Sequence, residues 1–180
     1  MSNDGRTVRR LQNADAVVDA VLDLIAEGNL RPGGAEIAER SGVSLRSLFR
    51  YFDDLDALAE TAVARQTARK DHLFQPLDPT GDLDTRVQRL VDHRLGLWQE
   101  VGPVVRAVRV RAPLRPAVID AIEHRYEQLR DQVRALFPEA DAEQAVAIDL
   151  LTGFEALERL EGDRRARRLL RRAVAAVLAG

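Results

Sequence analysis

The chain has 180 residues, 46% of them apolar and 31% charged, with a formal net charge of −2. That length buries a real core in one or two domains, and no run of about twenty apolar residues is present to span a bilayer. With no cysteine, disulfides and thiolate chemistry are excluded, the polar opening MSNDGRTVRR lacks a secretory signal's apolar stretch, and a cytoplasmic location is expected.

Residues 1–12, with Arg6, Arg9 and Arg10, read as a disordered basic arm. A first helix runs from about Asn13, as its cap, to Glu27; Ala14, Val17, Val18, Val21, Leu22 and Ile25 form its apolar stripe. Gly28 ends it. After the loop Asn29 to Gly34 comes the most informative segment, Glu36 to Leu58, EIAERSGVSLRSLFRYFDDLDAL. It reads as two short helices around the turn Ser41-Gly42-Val43. Gly42 suits the left-handed backbone that lets two helices cross steeply. Ser44 caps the second helix by accepting from the backbone N–H near Ser47, and that helix carries Leu48 and Phe49 inward. Leu45, Arg46 and Ser47 are thereby pushed outward, as in a helix-turn-helix that enters a DNA major groove.

Asp53 and Asp54 cap a fourth helix that reaches about Gln75. The Pro- and Gly-rich stretch Gln75 to Gly81 is the clearest boundary in the chain. A fifth helix spans Leu83 to Glu100, with Leu83, Val87, Val91 and Trp98 on one side, and Gly102-Pro103 opens a short sixth to about Arg111. Pro113 and Pro116 bracket the start of a seventh, ending at Phe137. Asp141 with Gln144 caps an eighth, Gly162-Asp163 ends it, and a ninth reaches the C-terminus. No strand-like alternation is present, so the fold is expected to be all helix.

Charge runs against a generic DNA binder. Residues 1–60 hold seven arginines against eleven carboxylates, a net of −4. The acids cluster at Asp15, Asp19, Asp23 and Glu27 and at Asp53, Asp54 and Asp56. Placed away from DNA, they would leave Arg46, Arg50 and the N-terminal arginines to meet phosphates, with weak non-specific affinity.

From Ala14 to Ala59 the chain resembles the TetR family of transcriptional regulators. The resemblance rests on AVVDAVLDLIAEGN, Ile37-Ala38, the spacing from Ala38 to Gly42, Val43-Ser44, Leu48-Phe49 and Tyr51-Phe52. It implies a nine-helix, all-α architecture, with a helix-turn-helix domain over 1–52 and a helical effector-binding and dimerisation domain over 53–180. It further implies that Leu45, Arg46 and Ser47 face base edges while Phe49, Arg50 and Tyr51 approach the DNA backbone. Arg46 is the leading specificity residue, since arginine bonds a guanine edge bidentately. Three positions depart from the pattern. Pro32-Gly33-Gly34 lacks the usual hydroxyl, Leu55 stands where a lysine is common, and Phe49 replaces a tyrosine.

Several residues admit a plainer reading. Leu48 and Phe52 read as core, Phe49 is open between core and a backbone contact, and the basic arm is open between DNA and solvent. Gln66, Arg69, Arg94, Trp98 and Tyr126 are the effector candidates, weighed against ordinary core or snorkelling roles. A buried Arg94 needs an internal acid or an anionic ligand. His72, His93 and His124 show no ligand spacing, and no metal or cofactor is expected. The arginines of the ninth helix (164, 165, 167, 168, 171 and 172) suit a solvated face, a nucleic-acid patch or, as the resemblance implies, the rim of a homodimer interface. Val146, Leu150, Leu157, Val174 and Val177 would form that seam, with Gly153 allowing close approach and Glu155, Glu158 and Glu161 pairing with the rim.

The reading that follows is a dimeric repressor of a palindromic operator, released by a small-molecule effector, with no catalytic residue and no membrane partner. An enzyme would need a nucleophile with its base, and no Gly-x-Ser-x-Gly elbow or phosphate loop is present. The alternative is a helical adaptor that keeps the fold and has lost specific DNA binding.

Overall fold

The computed structural model describes residues 3–110, 116–160 and 164–180, apart from the side chains of residues 3–6, Ala117 and Arg164. Among the described residues every regular element is helical. The helices are α1 (Asn3–Ala26), α2 (Gly34–Ser41), α3 (Leu45–Tyr51), α4 (Leu55–Arg69), α5 (Leu83–Val110), α6 (Pro116–Leu136), α7 (Ala142–Leu151), α8 (Phe154–Arg159) and α9 (Arg164–Leu178). Nine is the number the sequence suggests, but the chain divides differently. The expected helix end near Arg111, the Pro113 bracket, Glu161 and the Gly162-Asp163 break lie outside the described residues.

The chain forms two compact units. The first runs to Arg69 and takes in the end of α5 from Pro103, so α4 groups with the N-terminal helices. Its core joins Val17, Val18, Val21 and Ile25 of α1 to Ile37 and Ala38 of α2, Leu48 of α3, Leu58 of α4 and Ala107 of α5. Each buried Val, Ile or Leu among them contributes about 1.5–3 kcal/mol. Helix α1 stops because Gly28 takes a φ of 97°. Its N–H then reaches the Ile25 carbonyl at 3.0 Å, and Asn29 N–H reaches the Leu24 carbonyl at 2.9 Å, the paired bonds of a Schellman end.

Three expectations fail along this part of the chain. Residues 3–12 are helical, not a disordered arm, and Asn13 lies inside α1, not at its cap. Helix is costly to start and cheap to extend. The Thr7 to Gln12 run contains no Pro or Gly, so it propagates upward from the packed turns below. The fourth helix ends at Arg69 instead of Gln75, and a single 3₁₀ turn, Asp71–Phe74, follows. Asp54 is the residue that caps α4, accepting from Ala57 N–H at 2.7 Å.

The second unit comprises residues 70–102 and the chain from α6 onward. Part of its core joins Val87 and Leu90 of α5, Val133 and Leu136 of α6, Phe137 just past its end, Ile148 of α7 and Val174 of α9. The cap of α7 is the reciprocal one expected: Gln144 N–H donates to Asp141 Oδ1 at 2.8 Å, and Asp141 N–H donates to Gln144 Oε1 at 3.0 Å.

Here too the helix boundaries move. The expected fifth and sixth helices are one, α5, with Pro103 inside it. An interior proline costs roughly 3 kcal/mol, which burial of the neighbouring Val101, Ala107 and Val108 offsets. Gly102 gives the Trp98 indole room, because a Cβ there would sit 3.0 Å from the ring and force it to give by a few tenths of an ångström. Conversely, the expected eighth helix breaks at Thr152-Gly153 into α7 and α8. Thr152 turns its hydroxyl back onto the Ile148 carbonyl at 2.8 Å, and Gly153 caps α8 with extended backbone.

Candidate nucleic-acid interface

Helix α3 is held by three local devices. Gly42 adopts a left-handed φ of 70° and closes α2, which no residue with a Cβ does as cheaply. Ser44 Oγ accepts from Ser47 N–H at 3.1 Å and donates to Ser47 Oγ at 3.0 Å, satisfying the helix start. Leu48 is fully buried in the first unit's core. With Leu48 as the anchor, Leu45, Arg46, Phe49 and Arg50 are left exposed, and Ser47 is half-buried against its cap. Arg46 makes no hydrogen bond or ion pair among the described residues.

Phe49 does not point inward. It is 46% exposed, and its ring edge lies over Gly34, with the Leu45 methyl beside it. A Cβ on Gly34 would sit 3.1 Å from Leu45 Cδ1 and 3.5 Å from Phe49 Cζ. Apolar atoms therefore occupy the space over the start of α2, where the resemblance implies a hydroxyl. In place of that hydroxyl, Glu36 Oε2 accepts the Gly33 N–H at 2.7 Å. Leu55, at the position of the missing lysine, packs against the core.

Tyr51 and Arg50 form the other end of the surface. The Tyr51 oxygen accepts from Asn13 Nδ2 and from an Arg50 guanidinium nitrogen, each at 3.2 Å, and the Arg50 guanidinium lies 5.2 Å from the Tyr51 ring centre. Two donors on the phenolic oxygen leave its own hydrogen to be donated outward. The Asn13 bond foremost, then the Arg50 bond, draw the hydroxyl below its ordinary value near 10, and the Arg10 charge adds to this. Asn13 is a member of the site that sequence reasoning assigns elsewhere. A signal for it exists, since Asn13 sits one turn ahead of Val17 on the stripe that packs inward.

Three of the acids that make this part of the chain negative, Asp15, Asp19 and Glu27, are held in ion pairs. Arg65 binds Asp15 and Asp19, Arg69 binds Asp19 at 2.8 Å, and Arg40 grips Glu27 with both nitrogens at 2.8 and 2.7 Å. Among the described residues, neither Arg46 nor Arg50 is paired with a carboxylate.

The effector candidates divide between the units. Gln66 and Arg69 belong to the first unit, where Arg69 is exposed and paired. Arg94, Trp98 and Tyr126 belong to the second. There Phe154, which the sequence does not single out, links two of them: its ring centre lies 5.6 Å from Trp98 and 6.2 Å from Tyr126. Arg94 is 1% exposed, and its partners are neutral. It donates to Gln132 Oε1 and to the Leu129 carbonyl, both at 2.7 Å, and Gln132 passes the connection on to the Leu73 and Gln75 carbonyls at 3.2 and 2.6 Å. Burial lowers the guanidinium to about 10, against the pull of the nearby Asp149, so it stays charged at neutral pH. Next to it His93 is lowered as well, by burial first and then by the Arg94 charge. The histidines 72, 93 and 124 form no metal-binding group among the described residues.

The residues expected at a dimer seam do not share a surface. Leu157 and Val174 are buried inside the chain itself, Val177 packs on the same core as Val174, and Gly153 lies in the break between α7 and α8. Val146 and Leu150 of α7 are exposed, Leu150 at 71%, as is Leu169 of α9. Of the α9 arginines, Arg167 pairs with Asp92 at 3.3 Å and Arg171 bonds Gln88 at 2.6 Å.

Two solved structures share this arrangement. A candidate transcriptional regulator from Streptomyces coelicolor A3(2) superposes with a TM-score of 0.63 at 24% identity, covering 94% of this chain and 99% of its own. A TetR transcriptional regulator from Rhodococcus sp. RHA1 superposes with a TM-score of 0.51 at 19% identity, covering 94% and 97%. The sequence matches no family model and no curated protein. At these identities the likeness establishes the fold alone, the one that this chain has in common with those two proteins.

Proposed function

We propose that the protein is a dimeric, sequence-specific DNA-binding regulator of transcription that represses from a palindromic operator until a small molecule releases it. The observation that carries this reading is the tip of α3. A fully buried Leu48 and a satisfied cap fix it, while Leu45, Arg46, Phe49 and Arg50 face outward, and among the described residues no carboxylate neutralises the two arginines. Paired copies of such a helix about one DNA turn apart (roughly 34–36 Å) meet successive major grooves. The adaptor reading draws support from the excess of acids, and the ion pairs of Asp15, Asp19 and Glu27 offset part of that excess.

The dimer surface in this reading is narrower than the sequence implies, and centres on Val146, Leu150 and Leu169. Leu150→Glu is expected to yield a folded monomer in analytical ultracentrifugation. Leu157→Glu is expected to unfold the second unit, because it forces a carboxylate into the core. A Leu150→Glu protein that remains dimeric places the interface elsewhere.

Effector contact falls to the aromatic group of Trp98, Tyr126 and Phe154, since Arg94 already has internal partners. A ligand that prefers one of two dimer geometries shifts the equilibrium by its differential affinity alone. The deciding experiment is selection of bound duplexes from a random pool at low salt. An enriched palindrome supports the regulator; no enrichment favours the adaptor.

A further inference from the structure

The outward side of α3 is divided between two chemistries. Successive residues of a helix are turned by about 100°, so side chains four apart share a strip. Arg46 and Arg50 form one exposed strip, and Leu45 and Phe49 form another beside it, while Leu48 anchors the helix in the core. Leu45 and Phe49 are each 46% exposed. Phe74, Phe137 and Phe154 are buried and Phe52 is half-buried, so Phe49 is the exposed phenylalanine of the five. The Leu45 methyl and the Phe49 ring edge lie together over Gly34, whose missing side chain leaves them room against the start of α2.

Neither apolar side chain has a donor or an acceptor, so neither offers a hydrogen bond to a phosphate or to a polar base edge. One feature of the major groove does match them, the 5-methyl group of thymine. The strip alongside decides what meets this surface. Arg46 and Arg50, which no carboxylate neutralises among the described residues, favour a polyanion over an apolar protein face. We propose that Leu45 and Phe49 read thymine through its methyl group, so that each operator half-site holds A·T pairs under the apolar strip and a G·C pair where Arg46 reaches. This rests on the DNA-binding reading above and names the base chemistry that the apolar side of α3 selects. It also moves Phe49 from the backbone, where the family resemblance implies it, to the bases, because a phenyl ring lacks the hydroxyl that a phosphate would accept from.

The test uses the full chain and the palindrome it selects, with deoxyuridine replacing thymidine at one position at a time. That replacement deletes the methyl group and leaves the hydrogen-bonding edges of the base pair in place. Under the apolar strip, affinity is expected to fall about fourfold for each methyl lost, the worth of burying one carbon of that size. The loss is expected to be the same at low and high salt, because no phosphate contact changes. Phe49→Ala and Leu45→Ala are each expected to bind the thymidine and deoxyuridine duplexes alike at one of those positions, with helix content unchanged by circular dichroism. Should either variant fail to fold, the scan on the unaltered chain still decides whether thymine methyls are read. A palindrome whose half-site thymines all tolerate deoxyuridine overturns the proposal, as does one with no thymine in its half-sites. A loss that persists undiminished in both variants gives the methyl contact to another side chain, and overturns it as well. If the unaltered chain enriches no duplex, the regulator reading itself falls. A chain that enriches a palindrome indifferent to the methyl keeps that reading and loses this one alone.

Discussion

Replacing Arg94 by alanine is expected to destabilise the second unit by about 3 kcal/mol, a thermal midpoint lower by roughly 6–12 °C for a chain of this size. The reason lies in what the arginine leaves behind. Gln132 Oε1 and the Leu129 carbonyl each lose a charged donor at 2.7 Å, in a place water does not reach, and a bond to a charged group is worth about 1.5–3 kcal/mol. Gln132 also ties α6 to the Leu73 and Gln75 carbonyls, so the damage reaches the segment before α5. Arg94→Met restores most of the volume and none of the bonds, and should recover little. Arg94→Met with Gln132→Met removes both partners, and should cost less than the two single changes added together. Urea denaturation of the unaltered chain, Arg94→Ala, Arg94→Met, Gln132→Met and the double variant measures this. If Arg94→Ala unfolds within about 0.5 kcal/mol of the unaltered chain, Arg94 is not a structural staple. Its burial would then have to be explained by a ligand, because function often retains residues that stability does not need.

What can be read from the sequence, and what cannot, divides by the range of the interactions involved. The cap of α3 at Ser44, the left-handed turn at Gly42 and the reciprocal cap of α7 at Asp141 and Gln144 are all local rules, and the structure shows each of them. The failures are places where packing overrides a local rule. Pro103 reads as a helix start, but buried neighbours on both sides carry α5 through it. Asn13 reads as a cap, yet its amide is spent on Tyr51, 38 residues away in the chain. Periodicity marks Leu150, Leu157 and Val174 as apolar positions but does not say what covers them. Leu157 and Val174 are covered by this chain, and Leu150 is left exposed. Fold class and the turn that leads into α3 are therefore legible. The burial of Leu157 and Val174, and the link from Trp98 through Phe154 to Tyr126, need the tertiary structure.

The same distinction between a free and an engaged side chain separates the two arginines of α3. Arg46 is exposed and uncommitted among the described residues, so all its donors are available to a base edge. Arg50 bonds the Tyr51 hydroxyl and lies against that ring, which fixes its position and suits it to a phosphate. Arg46→Ala is expected to erase preference at one base pair in each half-site of the selected palindrome and to weaken binding there by about 1–3 kcal/mol, tenfold or more at the middle of that range. Arg50→Ala is expected to weaken binding to every duplex alike and to flatten its salt dependence, with the palindrome unchanged. Repeating the duplex selection with each variant tells them apart. Should Arg46→Ala select the same palindrome as the unaltered chain, base reading falls to Leu45, Ser47 or Phe49. Should Arg50→Ala shift the preferred bases, the fixed guanidinium reads sequence, and the roles of the two ends of α3 are reversed.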